Sequence, residues 1–217
     1  MMQRRRRVAR RGATRRSWTP ASFAAVALLL AAFPASSAEG AEHPAQSAVR
    51  AALAEARSTV EGEGERPAKL ERLGEISRSL FDTETMARRA LGDHLEGKTD
   101  AQRAEFMELF DEYIVRAYLQ KLLFFRKPRF AFAKPEIEGD AVWVRTRIVT
   151  RKDDYYVDYR MELYGADWLA SDVMVEHISL ADNFAAQFSS LLERRSFDEL
   201  LEKMRAKVER HRKKLEE

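Results

Sequence analysis

Four histidines, no cysteine and a handful of carboxylates are what this sequence offers to catalysis or metal binding. His43, His94, His177 and His211 fall in four separate stretches, with no spacing that would set two on one helix face toward a metal. Each reads as a surface or turn residue. The lack of cysteine removes disulfides, thiolate metal sites and cysteine nucleophiles. No phosphate-cradling glycine loop, nucleophile elbow or calcium loop occurs. Asp158 and Glu162 lie four apart in an alternating stretch and so point to one side of a strand. In a concave pocket either could serve as a general base, which defines the alternative reading, an enzyme with an α+β cup. They alternate against an apolar face, however, and so belong to a solvated sheet exterior. Asp153 and Asp154 fit a turn. Catalysis has no positive support here, and neither a metal nor a cofactor is called for.

The abundant side chains are large and apolar: 12 Phe, 6 Tyr, 7 Met and 3 Trp. They concentrate where a helical pattern gives way to strands. A well-filled core and a shell around an apolar cavity use the same residue types, so periodicity leaves both readings open.

The elements that hold these side chains are legible from period and punctuation. Residues 44–61 form an amphipathic helix with Val49, Leu53, Ala56 and Val60 on one stripe, ended by Gly62-Glu63-Gly64-Glu65. A second helix starts near Pro67 and turns Leu70, Leu73, Ile76 and Leu80 inward. Asp82 caps a short helix that stops at Gly92. Thr99-Asp100-Ala101-Gln102 is a capping box opening the longest helix, which runs to about Phe124. From Phe130 to Glu176 the period falls from 3.6 to 2. Phe130, Phe132 and Ile137 mark a first strand. Val142, Val144, Thr146 and Ile148 mark a second, and Tyr155, Val157, Tyr159, Met161 and Leu163 a third. Leu169, Val173 and Val175 share a face of the fourth. Short turns between them require an antiparallel meander with one apolar face. Ser179 caps a further helix, and Ser196-Phe197-Asp198-Glu199 is a capping box for the last. The expected fold is α+β: helices packed on one face of a four-stranded antiparallel sheet, in a single domain over residues 39–217 with a charged helical tail from about 203.

The 217-residue chain carries a net charge of +3 and a pI of about 9.1. Eight arginines and no acid lie within the first twenty residues. They precede an apolar run from Phe23 to Phe33 and a small-residue end, Ala35-Ser36-Ser37-Ala38. That is the layout of a secretory signal peptide over residues 1–38, with an apolar run too short to span a bilayer. Thr14-Arg15-Arg16-Ser17-Trp18 is a loose twin-arginine pattern. Cleavage after Ala38 removes eight of 38 basic residues and none of the 35 acidic ones, leaving a net charge of about −5. A periplasmic chain of that charge is no nucleic-acid binder.

Four segments together resemble one family. They are Phe81-Asp82 with Met86-Ala87-Arg88 and Ala90-Leu91-Gly92; Gln102-Arg103 with Phe106, Phe110 and Tyr118; Tyr159-Arg160-Met161; and Trp168 with Asp172-Val173, Ser179-Leu180, Asn183-Phe184 and Gln187-Phe188. In order and spacing these resemble the MlaC family, also called toluene-tolerance auxiliary proteins, over roughly residues 44–205. His177 stands where the family has a glycine and Ala185 where it has an arginine, and the charged tail beyond Met204 is longer. The resemblance implies a periplasmic carrier whose cargo is a phospholipid, its acyl tails held in an apolar lipid cavity that helices and sheet enclose and its headgroup facing solvent. The implied partners are an inner-membrane Mla ABC transporter complex and an outer-membrane lipoprotein–porin complex. A related branch occurs beside hopanoid-synthesis genes, which leaves the lipid class open. On that basis the lipid-binding wall is assigned to Phe106, Phe110, Ile114 and Tyr118 of the long helix and to Val142, Val144, Tyr159, Met161, Val173 and Val175 of the sheet. Lys121, Arg126, Lys127 and Arg129 cluster where that helix ends and could meet an anionic headgroup.

Overall fold

The structure, a computed structural model, describes residues 42–124, 129–150 and 153–216, with side chains for all of these except 118–124 and 216. They belong to one compact unit, Gly40–Glu217. The signal-peptide expectation falls on residues outside the described ones.

Helices come first, and local caps set where they begin. The Nδ1 of His43 accepts the Ala45 N–H at the start of α1 (Pro44–Glu61). A proline in the first turn opens α2 (Arg66–Leu80). Asp82 accepts the Thr85 N–H at 2.9 Å to start α3 (Thr83–Leu91), and Gly92, at φ 50°, ends it. The capping box of α4 (Asp100–Phe124) is reciprocal: the Gln102 N–H donates to Thr99 Oγ1, and the Thr99 N–H to Gln102 Oε1.

The sheet has six strands where the alternation predicts four. The expected first strand is two, β1 (Arg129–Phe132) and β2 (Glu136–Glu138), both paired antiparallel with β3 (Ala141–Val149). Pro135 explains the break, since it has no N–H to donate and biases Lys134 before it. Next come β4 (Asp154–Tyr164) and β5 (Asp167–Val175), and then a two-residue return, β6 (Ile178–Ser179). Sheet order is β1-β3-β4-β5-β6, with β2 alongside β3.

One expectation fails on β5. Asp172 pairs with Arg160 but Ala170 pairs with Met161, so Ser171 is an extra residue. This bulge reverses the alternation. Val173 shares the inner face with Tyr159, while Leu169, expected beside it, sits opposite Glu162 on the outer face. The Ser171 hydroxyl donates to the Arg160 carbonyl and accepts from the Arg160 guanidinium, which holds the irregularity in place.

The last two helices complete the helix layer, α5 against α3 and β5, and α6 against α4. Ser179 ends β6 and caps α5 (Leu180–Leu192), accepting the Asp182 N–H at 3.0 Å. Ser196 and Glu199 form the second reciprocal box, at the start of α6 (Phe197–Glu216). Side by side, α6 and α4 run in the same direction: Gln102 donates to Asp198 near their starts, and Tyr113 meets His211 edge-on further along. No helix among the described residues is long and apolar enough to cross a membrane.

Candidate functional site: the apolar wall between helices and sheet

Eight of the ten residues assigned to the wall fall into one buried cluster. Phe106, Phe110, Ile114, Val142, Val144, Tyr159, Met161 and Val173 are all at most 5% exposed. The pairing register explains the sheet half, since Val142 lies opposite Met161, Val144 opposite Tyr159, and Tyr159 opposite Val173. Val175 differs: at the end of β5 it is 38% exposed and forms a rim. Tyr118 belongs to α4, but its side chain lies outside the described residues.

The helix side of the wall is aromatic and larger than expected. Phe106 and Phe110, one turn apart on α4, meet Phe184 and Phe188 of α5 and Phe197 of α6. The Phe106–Phe188 rings are 5.6 Å apart at 82°, and the Phe110–Phe184 rings 5.3 Å apart at 74°. Such edge-to-face pairs are each worth about 0.5–1.5 kcal/mol beyond area burial. The spacing of Phe184 and Phe188, four apart on a predicted helix, is the signal that could have placed them in the wall. On the sheet side Phe81 stacks on Tyr159.

One buried carboxylate ties sheet to helices at the edge. Asp172, 1% exposed, accepts the N–H groups of Val173 at 2.8 Å and Ala181 at 3.2 Å, and the Ser179 hydroxyl. The Arg89 guanidinium of α3 lies 3.3 Å away and also binds Asp182. Asp172 therefore fixes the N-terminus of α5, and with it Phe184 and Phe188, to β5. A second link is the Asp82 N–H, which donates to the Ala170 carbonyl at 3.0 Å. In the sequence Asp172 stands only as part of a pattern; its role depends on the turn that brings Ser179 and Ala181 back to it and on Arg89, 83 residues earlier.

Two open grooves reach this cluster from the surface. One, of about 430 Å³ between α1 and β1, is lined by Leu53, Phe130 and Phe132, with the Arg50 guanidinium 4.0 Å above the Phe132 ring. The other, of about 500 Å³, lies between α5 and α6.

The residues weighed for chemistry are engaged elsewhere. Asp158 and Glu162 lie on the outer sheet face, away from the wall, but Asp158 is buried rather than solvated: it sits in an outer-face groove and accepts from Arg145 at 2.7 Å, while Glu162 pairs with Arg160. His43 caps α1 and meets Trp168 edge-on, His94 is hydrogen-bonded to Ser189, and His177 occupies a turn. No group of three or more metal-ligating side chains occurs among the described residues. Of the proposed headgroup cluster, Lys121, Arg126 and Lys127 lie outside the described side chains, and Arg129 is exposed.

No curated protein matches the sequence. The fold is similar to that of the phospholipid-binding protein from Ralstonia solanacearum, whose structure was solved in complex with a phospholipid. The TM-score is 0.68 at 19% identity, covering 78% of this chain and 99% of that one. The profile of the MlaC protein family matches residues 46–206, a span that takes in every wall residue on both helix and sheet. The chain belongs to the MlaC family.

Proposed function

We propose that this protein is a periplasmic phospholipid carrier that serves an ABC transporter, exported by the signal peptide at residues 1–38. The observation that carries the reading is the wall itself: an aromatic helix face and an aliphatic sheet face meet over one continuous apolar cluster. Membership of the MlaC family and the phospholipid in the similarly folded Ralstonia protein support it. Two acyl chains carry on the order of 30 methylenes, and at about 0.8 kcal/mol each their exposure to water costs roughly 20 kcal/mol or more. A lipid crossing an aqueous space needs a dry container, which this cluster would supply once its two sides part.

The wall residues touch one another: Phe106, Phe110, Val144 and Met161 have no exposed surface. Acyl tails therefore enter by parting the helix layer from the inner face of β3, β4 and β5. Val175 completes the proposed wall at its margin. The proposed partners are the inner-membrane Mla ABC transporter complex and the outer-membrane lipoprotein–porin complex. No residue with a chemical role in turnover is required.

Solvent extraction and native mass spectrometry of the protein purified from cells test this. A bound phospholipid at about one per chain is expected, and the same extract separates phospholipid from hopanoid. Met161→Glu puts a carboxylate on the inner face and should abolish lipid retention in protein whose circular dichroism is unchanged. A lipid-free extract from the parent protein would refute the reading.

A further inference from the structure

The last helix sorts its cations onto two sides. Lys203, Lys207, Arg210 and Lys214 recur at intervals of four, three and four, so at 3.6 residues per turn they share one face along about 16 Å of helix. Arg205 and Arg212 project from the opposite side, and each has a carboxylate: Glu105 for the first and Glu209 for the second. Lys213 also has Glu209, at 3.8 Å. Among the described residues no carboxylate lies within ion-pair distance of any of the four stripe cations.

These charges oppose one another. Lys207 is held below the usual lysine pKa by burial and then by Arg210 and Lys203, and its ammonium leans on the Tyr113 ring at 5.4 Å. Beside the stripe opens the α5–α6 groove, walled by Phe188, Leu191, Leu200 and Met204, with Lys203 and Lys207 on its lip. An unopposed positive stripe along an apolar groove is the profile of a surface that meets anionic headgroups with some acyl contact beneath them.

We propose that this face of α6 is a docking surface for an anionic phospholipid bilayer, on which the protein rests while exchanging cargo. The choice of a bilayer rests on the carrier reading above. Three of the four cations are lysines, compact hydrated point charges without the planar fork that recognises one carboxylate bidentately. They suit a diffuse field of headgroups better than a specific protein contact. Residues 39–217 are net acidic, so such a bilayer repels the molecule's other faces and orients this one toward itself. Each cation is worth about fivefold in partitioning. Four give weak, reversible attachment, which a carrier that must leave again requires.

Flotation with vesicles of phosphatidylcholine alone, or three parts phosphatidylcholine to one part phosphatidylglycerol, tests this. The protein is used as purified from cells, with the N-terminus of each preparation matched by mass. The parent should bind the anionic vesicles selectively and be released by salt. Lys203→Gln/Arg210→Gln/Lys214→Gln should lower that binding about 100-fold. Arg205→Gln/Arg212→Gln/Lys213→Gln removes the same charge from the paired positions and should stay within about threefold of the parent. Equal losses in both variants would overturn the proposal, because net charge alone would then explain binding. So would a parent that ignores anionic vesicles at low salt, an outcome that assigns the stripe to an acidic protein face. Lipid extraction from the same preparations keeps the two readings apart: lipid present without docking removes the stripe's role only, and docking without extracted lipid removes the carrier reading.

Discussion

Replacing Asp172 with alanine should destabilise the protein by about 3–5 kcal/mol, which can be worked from its four partners. The Ala181 and Val173 N–H groups are buried and would lose an acceptor, at about 1–3 kcal/mol each. The Ser179 hydroxyl loses a charge-assisted bond but still caps Asp182. Arg89 contributes little, because its side chain is 43% exposed and keeps Asp182. Against a total stability of about 5–15 kcal/mol this is a large loss. Asp172→Asn should cost less, about 1–2 kcal/mol, because its amide oxygen can still accept both backbone N–H groups while its NH₂ can donate to the Ser179 hydroxyl, only the exposed Arg89 contact being lost. Urea titration of parent, Asn and Ala variants measures the three stabilities. Hydrogen exchange should show the Ala181 and Asp182 amides losing protection first, since the N-terminus of α5 is what Asp172 holds. A loss below about 1 kcal/mol for alanine would refute the accounting. So would an asparagine variant as damaged as alanine, because the charge rather than the acceptor oxygen would then be decisive.

Two further changes follow from local geometry. Glu176 and His177 form the two-residue β5–β6 turn with φ of 49° and 66°, a conformation glycine adopts without a Cβ clash. His177→Gly should therefore raise stability by about 0.5 kcal/mol, the relief of roughly 1 kcal/mol being offset in part by the lost stacking on Tyr156; a lower thermal midpoint would contradict this. His211 is held below its ordinary pKa of 6.5 by burial first, then by Lys214, Arg210, Lys207 and Arg116. Above pH 6.5 both states are neutral there. As pH falls below 6.5 the unfolded chain takes up the proton first, so stability falls with it. His211→Gln should flatten the denaturation midpoint over that window, and an unchanged slope would remove His211 as its source.

The elements were legible where their determinants are local. Asp82, Thr99 with Gln102, Ser179, and Ser196 with Glu199 each cap a helix through a residue three positions on, so sequence spacing alone reveals them. The inner faces of β3 and β4 were legible because alternation is undisturbed there. Reading failed where a distant partner decides. The bulge at Ser171 depends on Arg160 across the sheet, and it moves Leu169 to the wrong face for any reader counting by twos. Arg89 reaches Asp172 from 83 residues away, and Ser179 and Ala181 reach it only because the tight β5–β6 turn folds them back. That Phe106 and Phe110 are buried with the inner-face residues of β3 and β4 was legible; that Phe184, Phe188 and Phe197 join them required knowing where α5 and α6 meet α4.

For the proposed carrier, that division has an energetic consequence. Admitting an acyl tail exchanges ring–ring contacts among Phe106, Phe110, Phe184 and Phe188 for ring–methylene contacts. Both sides of that exchange are apolar and dry, so its net cost per unit area is small. What resists opening is the set of directional links at the sheet edge, Asp172 to Ser179 and Ala181 and the Asp82 N–H to the Ala170 carbonyl. These lose their partners outright when sheet and helices separate on that side, whereas the opposite sheet edge, at β1, is already open to the groove lined by Leu53, Phe130 and Phe132. The layers should therefore part while hinged at the β5–α5 junction. Substitutions at Asp172 would then change how readily lipid enters, while substitutions in the wall would change how well it is kept.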